Sequence, residues 1–374
     1  MAELPDTFFK LTNLTNLDLS HNRLTVISAD IGNCTRIRLL SLANNRLTEL
    51  PSSIGNLIAL SRLGLKYNQL SSIPIAIGKC IQLDEFNVEG NRLTSLPDDL
   101  LSQLSGLQSV TLARNSLSAF PAGGPGQFVN VHTVNMEHNE ISKIPFGIFS
   151  QTNQLRSLVM RSNQLQSFPL DLGSWVSLVE LNMSGNQITK IPDDIGKLVQ
   201  LEQLYLSNNL IKRVPPAMAK LQRLRVLDLD ENKIEKLPDE IGNLQALEKL
   251  QLQANKLTSI PGSIGNLSAL RVCWLGENLL TTLPLEMGNL GSLESLYLSS
   301  NSELQTLPWQ ITYCARLQYL AIDGCPLGSI PPTVVAYGPA LVVSYLKLQA
   351  QAFEKTGSAD PTIALASQMA QADI

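Results

Sequence analysis

Three histidines and five cysteines are all that 374 residues offer toward metal or thiol chemistry, and neither set is arranged for it. His21 and His138 occupy like positions in distant segments, and His132 lies close to His138. No third ligand follows at metal spacing, so hydrogen-bonded or solvated roles are expected and no metal site. The cysteines do not pair off. Cys34, Cys80, Cys273 and Cys314 each replace an apolar residue of a recurring pattern and read as small buried groups, which favours a reducing compartment. The formal net charge of −4 argues against nucleic acid as a partner. No apolar run approaches the roughly 20 residues that span a bilayer. The opening MAELPDTFFKLTNL lacks the basic and apolar regions of a secretory signal. Acidic pairs such as Asp98–Asp99, Asp193–Asp194 and Asp239–Glu240 recur at one position with no basic partner. They mark a solvated edge or the starts of short helical turns, not acid/base machinery. Gly123, Gly124, Pro125 and Gly126 lack the Lys-Ser/Thr pair of a phosphate-binding loop and read as a turn. Neither an enzyme nor a cofactor is expected.

What is present is one pattern, clearest in residues 224–244, LRVLDLDENKIEKLPDEIGNL. Leucines and an asparagine give LxxLxLxxN. The asparagine returns as Asn22, Asn45, Asn68, Asn91, Asn115, Asn139, Asn163, Asn186, Asn209, Asn232, Asn255, Asn278 and Asn301, and Cys325 holds a fourteenth slot. The steps are 23 or 24 residues, inside the range of leucine-rich repeats. In LDLDEN, alternation sends Leu227 and Leu229 inward and leaves Asp228 and Asp230 outward on a short strand. The asparagine amide, donor and acceptor at once, satisfies the backbone where the chain turns away. The LPxxIGxL part returns on the other side, with its Ile and Leu in the core; KIPFGIFSQ should likewise bury its two phenylalanines. The fold class is α/β: a curved leucine-rich-repeat solenoid with a parallel sheet on the concave face and short helical or turn segments on the convex one. Its expected divisions are a partial repeat at 1–13 and about fourteen repeats over 14–336. A capping helix at 337–352, buried through Leu341, Val342, Tyr345, Leu346 and Leu348, and a disordered tail at 353–374 complete it. The start, with no strand before ELPDTFFKL, suggests that upstream repeats are missing.

The concave strands form the candidate binding surface, because a stack of this kind presents one long row of outward side chains. Arg62, Lys66 and Tyr67 should face Asp84, Glu85 and Glu89. Arg114, Arg156 and Arg161 make a basic zone. Glu180, Glu202, Asp228, Asp230 and Glu231 make an acidic one, relieved by Arg225. Tyr205, Trp274, Tyr297 and Tyr319 add aromatic anchors.

Some of the wording lies outside any repeat consensus. IGNCT at 31–35, LSRLGLKYNQLSSIP at 60–74, LARN at 112–115, GGPGQF at 123–128, NMEHNEISKIPFGIFS at 135–150, LGENLLTTLP at 275–284 and the run CPLGSIPPTVVAYGP from Cys325 resemble the Shoc/Sur (suppressor of Clear, suppressor of Ras) scaffold. The likeness extends over nearly all of 11–350. It implies a non-enzymatic scaffold whose concave side holds a GTP-loaded Ras-family GTPase, M-Ras-like, together with the catalytic subunit of protein phosphatase type one. The assembled phosphatase acts on Raf kinase, and the setting is cytoplasmic, open to the nucleus as well. Lys66, Tyr67, Arg114, Glu137, His138, Asp228, Asp230, Glu231 and Glu277 match that family's exposed pattern, and with Arg161 they are the candidate partner contacts. That family carries a long charged N-terminal segment and further repeats that are absent here, and its end differs from the run AQAFEKTGSADP. The alternatives are the recognition ectodomain of a cell-surface receptor, which would use acceptor triplets such as those at Asn33 and Asn266, or a generic adaptor.

Overall fold

The computed structural model describes residues 4, 5 and 7–356. They fall into two compact units, divided between Thr189 and Lys190. The first unit holds strands β1 (Asn16–Asp18), β2 (Leu39–Ser41), β3 (Arg62–Gly64), β4 (Glu85–Asn87), β5 (Ser109–Thr111), β6 (Thr133–Asn135), β7 (Ser157–Val159) and β8 (Glu180–Asn182). The second holds β9 (Gln203–Tyr205), β10 (Val226–Asp228), β11 (Lys249–Gln251), β12 (Val272–Trp274), β13 (Ser295–Tyr297) and β14 (Tyr319–Ala321). Within each unit the strands pair in chain order, and every pairing is parallel.

Each strand is three residues long because only the middle one must point inward. The inward residues stack in register: Leu17, Leu40, Leu63, Phe86, Val110, Val134, Leu158 and Leu181 in one unit. In the other they are Leu204, Leu227, Leu250, Cys273, Leu296 and Leu320. The five cysteines are free and buried, as the pattern predicts.

The asparagines do more than close their own turns. Asn45 accepts the Leu24 amide through Oδ1 (3.0 Å), and its Nδ2 donates to Leu19 O of the preceding repeat and to Leu42 O of its own. The ladder amides from Asn45 to Asn186 and from Asn232 to Asn301 repeat this arrangement, and each ties two repeats together. Cys325 keeps only the donor half, Sγ to Leu298 O at 3.2 Å. It suffices because the extra residue after Asn301 turns the Leu304 amide back onto Asn301 O (3.1 Å), so no N–H there awaits an acceptor.

The residue just before each ladder position has positive φ in all fourteen repeats, from His21 (φ 55°) to Gly324 (φ 72°). Left-handed backbone favours Gly, then Asn, Asp and His, which explains the two histidines found there. On the far side, 3-10 turns such as Ser52–Asn56 and Asp239–Asn243 bury the Ile of IGNL. The glycine of that motif has ordinary φ. It is there because a β-carbon on Gly55 would fall on the carbonyl of Ala76 in the next turn. Asp193 and Asp239 open such turns, and Asp99 precedes the single-turn α1 (Leu100–Gln103). The GGPGQF stretch supplies positive φ at Gly123 and Gly124 and then forms the turn Pro125–Phe128. Phe128, Phe149 and Trp175 pack in succession at centroid distances of 5.1 and 5.3 Å.

Three expectations need correction. Phe149 is core, but Phe146 is 74 % exposed, because the position after the proline points to solvent in this turn. The repeat pattern aligns Phe8 with the buried Ile of later turns, yet Phe9 rather than Phe8 is the fully buried one. At the other end, α2 (Pro332–Ala336) precedes α3 (Pro339–Thr356), which runs four residues past the expected end at Ala352. The buried face of α3 is Val342, Leu346, Ala350 and Ala352, whereas Leu341 and Leu348 are exposed. Phe353 lies on Trp309 at 5.2 Å, so residues first assigned to a tail belong to the cap. The rest of that tail, 357–374, lies outside the described residues. Among the described residues no helix is long and apolar enough to cross a membrane.

Candidate protein-binding surface

Outward positions of the strands and the left-handed residue that follows them make up the candidate surface. In the first unit its centre is a carboxylate. Glu89 accepts the Tyr67 hydroxyl at 2.7 Å and lies 3.4 Å from the Arg114 guanidinium. The hydrogen bond from Tyr67 and the charge of Glu89 push the phenol above its ordinary pKa. Arg62 approaches Asp84 at 4.0 Å, so of the pairings expected from sequence Arg62–Asp84 and Tyr67–Glu89 form. Lys66, Glu137, His138 and Arg161 carry no side-chain hydrogen bond or ion pair among the described residues. His138 and Arg161 are linked through backbone, His138 N to Arg161 O at 2.8 Å. Of the remaining histidines, His132 pairs with Gln154 and His21 lies 3.5 Å from Asn44 Nδ2. No group of three potential metal ligands occurs among the described residues.

The second unit gathers Asp228, Asp230, Glu231 and Glu277 around two glutamines. Asp230 accepts the Gln253 amide (2.7 Å) and Gln251 Nε2 (3.2 Å), and Gln253 Nε2 donates to Glu277 (2.7 Å). Burial, then the charge of Asp228, pushes the Asp230 carboxyl up to about 7, against the pull of those two donors. Beside this cluster, Lys249 sits 5.0 Å over the Trp274 ring. Arg225 pairs with Glu248 and Arg271 with Glu294, both at 2.8 Å.

The structure thus joins Tyr67 to Arg114 and Glu277 to Asp230. Of the intermediaries, Glu89 was expected to face Tyr67 but not to bridge it to Arg114, and Gln253 was not singled out from sequence. The available signal was register: each stands two residues before its ladder asparagine, in the column that holds Lys66.

Comparison with known proteins agrees with this architecture. A profile of the leucine-rich repeat region matches residues 130–272 and 217–303, and a leucine-rich-repeat profile matches 3–47. A leucine-rich-repeat protein of Leptospira interrogans superposes with a TM-score of 0.81 at 31 % identity, over 89 % of this chain and 89 % of that one. A TDR receptor superposes with a TM-score of 0.73 at 26 % identity, over 83 % of this chain and 56 % of that one. Among curated proteins, a leucine-rich repeat protein soc-2 homolog of Nematostella vectensis is 51 % identical over 51 residues, 14 % of this chain and 9 % of that one. Leucine-rich repeat protein SHOC-2 of Danio rerio is 50 % identical over 51 residues, 14 % of this chain and again 9 % of the relative. The matched stretch therefore spans under a tenth of either curated relative.

Proposed function

The chain belongs to the leucine-rich-repeat family, and we propose that it is a non-enzymatic scaffold in Ras, Raf and MAP kinase signalling. On this reading it holds a GTP-loaded Ras-family GTPase of the M-Ras kind together with the catalytic subunit of protein phosphatase type one. Raf is then dephosphorylated and activated, in the cytoplasm and, where the partners enter it, the nucleus. The choice of partners rests on the half-identical stretch shared with SHOC-2 proteins and on the Shoc/Sur-like wording along the chain.

One observation carries the binding role. Left-handed backbone costs a β-carbon-bearing residue about 1–2 kcal/mol, and glycine escapes that cost. Gly90, Gly185 and Gly324 take this solution, yet Tyr67, Arg114, Glu231 and Glu277 stand at the same position. Within the chain Tyr67 and Arg114 share the one carboxylate of Glu89, Glu277 meets only Gln253, and Glu231 has no side-chain partner among the described residues. A row of large polar groups held there against local preference supports a surface that meets a partner. The experiment measures capture of GTP-analogue-loaded GTPase and of phosphatase by the chain carrying Glu231→Lys or Arg161→Glu. Weakening of about tenfold, near 1.4 kcal/mol, with an unchanged melting temperature supports the proposal. Undiminished capture of both partners by both variants refutes it.

A second reading, a receptor ectodomain, draws on the likeness to the TDR receptor. It requires glycans on Asn33 or Asn266, both exposed, and mass spectrometry of the protein from its own cells decides it.

A further inference from the structure

Between its ladder asparagine and its proline each repeat has three outward positions, the first, third and fourth after the asparagine. In the four repeats that carry Asn186, Asn209, Asn232 and Asn255, six of these twelve positions are cations: Lys190, Lys212, Arg213, Lys233, Lys236 and Lys256. One is a carboxylate, Glu235. All seven lie in the second unit and are exposed. The ion pairs of that unit use Lys197, Arg225 and Arg271 instead, and none of the six cations has a side-chain partner among the described residues. Backbone holds them in file. Arg213 and Lys236 are opposite residues of a parallel bridge, and the amides of Lys233 and Lys256 donate to Ile211 O and Ile234 O, both at 2.9 Å. Adjacent strands are about 4.8 Å apart, inside the roughly 8 Å over which physiological salt screens a charge. Like charges set opposite one another at that spacing are destabilising. The fold does not ask for them, since Thr258, Ser259, Thr281 and Thr282 fill the same positions in the next two repeats.

An anionic surface would offset that repulsion, and the residue types select which kind. The carboxylates that follow in sequence, Asp193, Asp194, Asp239 and Glu240, lie beyond the proline on the 3-10 turns, where Lys197 and Lys220 also stand. Counting flank and turns of these four repeats together, eight cations stand against five carboxylates, a positive surplus in a chain of net charge −4. Five of the six flank cations are lysine, a hydrated point charge without the guanidinium fork that suits a shaped carboxylate or phosphate site. Protein interfaces are depleted in lysine and enriched in Arg, Tyr and Trp, the types found on the strands of this unit at Tyr205, Trp274 and Tyr297. No aromatic residue stands on the flank to stack a nucleic-acid base. Leucines do stand there: Leu210 and Leu279, 37 % and 45 % exposed, end the column that holds Lys233 and Lys256. Lysines beside exposed leucines are the composition with which peripheral segments rest on anionic lipid, the apolar groups entering below the headgroups. We infer that this flank of the second unit docks on an anionic membrane surface. The inference goes beyond the scaffold reading and does not depend on which proteins the sheet face holds.

The test sediments the full chain with vesicles of phosphatidylcholine and phosphatidylserine in equal parts, and with vesicles of phosphatidylcholine alone. Binding to the mixed vesicles only, weakening as salt rises, is expected. Each basic residue near such a surface contributes about a factor of five, so the triple variant Lys212→Glu, Arg213→Glu, Lys236→Glu should lose at least about tenfold in partitioning. Its melting temperature should be unchanged; if the reversals lower it, the same three residues changed to Gln make the comparison. Leu279→Ser should weaken binding at constant charge. Equal binding to both kinds of vesicle, binding to neither, or undiminished binding by the triple variant or by Leu279→Ser would overturn the inference. So would capture of a polyglutamate peptide or of DNA in preference to the mixed vesicles, which assigns the flank to another class of partner. GTPase capture by the triple variant reports separately on the scaffold reading.

Discussion

Replacing Asn232 by alanine removes one acceptor and one amide donor group from a buried position, and the structure says which loss matters. Asn232 Oδ1 accepts the Ile211 amide at 3.0 Å, and no other acceptor serves that N–H. Its Nδ2 donates to Leu206 O (2.9 Å), Leu229 O (3.1 Å) and Asp230 O (3.1 Å), but each carbonyl keeps a second donor, Asn209 Nδ2, Asn255 Nδ2 and the Asn208 amide in turn. One N–H is therefore orphaned outright, at about 1–3 kcal/mol, and three carbonyls lose one bond of two, so the sum is about 2–4 kcal/mol. Cys325→Ala is the control. The Leu298 carbonyl keeps Asn301 as donor and the Leu304 amide is already satisfied, so about 1 kcal/mol or less is expected. Urea melts of both variants give the two energies, and hydrogen exchange at Ile211 reports whether its amide loses protection locally. Equal costs for the two substitutions, or an unchanged Ile211 exchange rate, would refute the account of the ladder as an inter-repeat tie.

Gly55→Ala drives a β-carbon onto the Ala76 carbonyl and should destabilise by about 1–3 kcal/mol, while Gly64→Ala should be neutral or stabilising. Thermal melts of the pair separate the two kinds of glycine. Asp230 binds its proton more tightly folded than unfolded, so it contributes stability that is present at low pH. That contribution is lost as pH rises from about 4 to about 7. Asp230→Asn should flatten this part of the melting-temperature profile and raise the value at pH near 8; a profile identical to that of the natural chain counts against the raised carboxyl. The Tyr67 phenol should ionise above its usual pH, and Glu89→Gln should bring it back. Ultraviolet titration of Glu89→Gln against the natural chain isolates that one tyrosine.

Most of the fold was legible because its determinants are local and repeated. A three-residue alternation, an asparagine and a proline-led turn each state their geometry within one 23-residue unit, and stacking multiplies the signal. The cap was read less well. The buried stripe of α3 runs Val342, Leu346, Ala350, and two of its members are small or β-branched, so the leucines at 341 and 348 misdirected the choice of face. Phe353 could not be placed from sequence, since its reason for being helical is Trp309, forty-four residues earlier. Phe146 failed for the opposite reason: it sits in a motif slot whose neighbours are core, yet the slot itself faces water.

The surface was legible as columns but not as contacts, and the difference is physical. Register fixes which residues stand in a row, because every strand pairs without slippage, Arg62 opposite Glu85 and Val226 opposite Lys249. It does not fix where a long side chain ends. Arg114 reaches past its own column to Glu89, and Gln253 bridges to Glu277 in the next repeat. The left-handed position adds what the pattern alone lacked. A residue there turns out of the sheet whatever its type, so its identity is set by backbone preference and by its neighbour in the same slot of the next repeat, as where the Tyr67 ring leaves no room for a β-carbon on Gly90. Where that preference is obeyed, as at Gly90, Gly185 and Asn208, the fold alone accounts for the residue. Where it is overridden, the chain itself supplies some partners, Glu89 for Tyr67 and Arg114, and Gln253 for Glu277. Glu231 has no side-chain partner among the described residues and is the residue for which an external contact is the natural physical explanation.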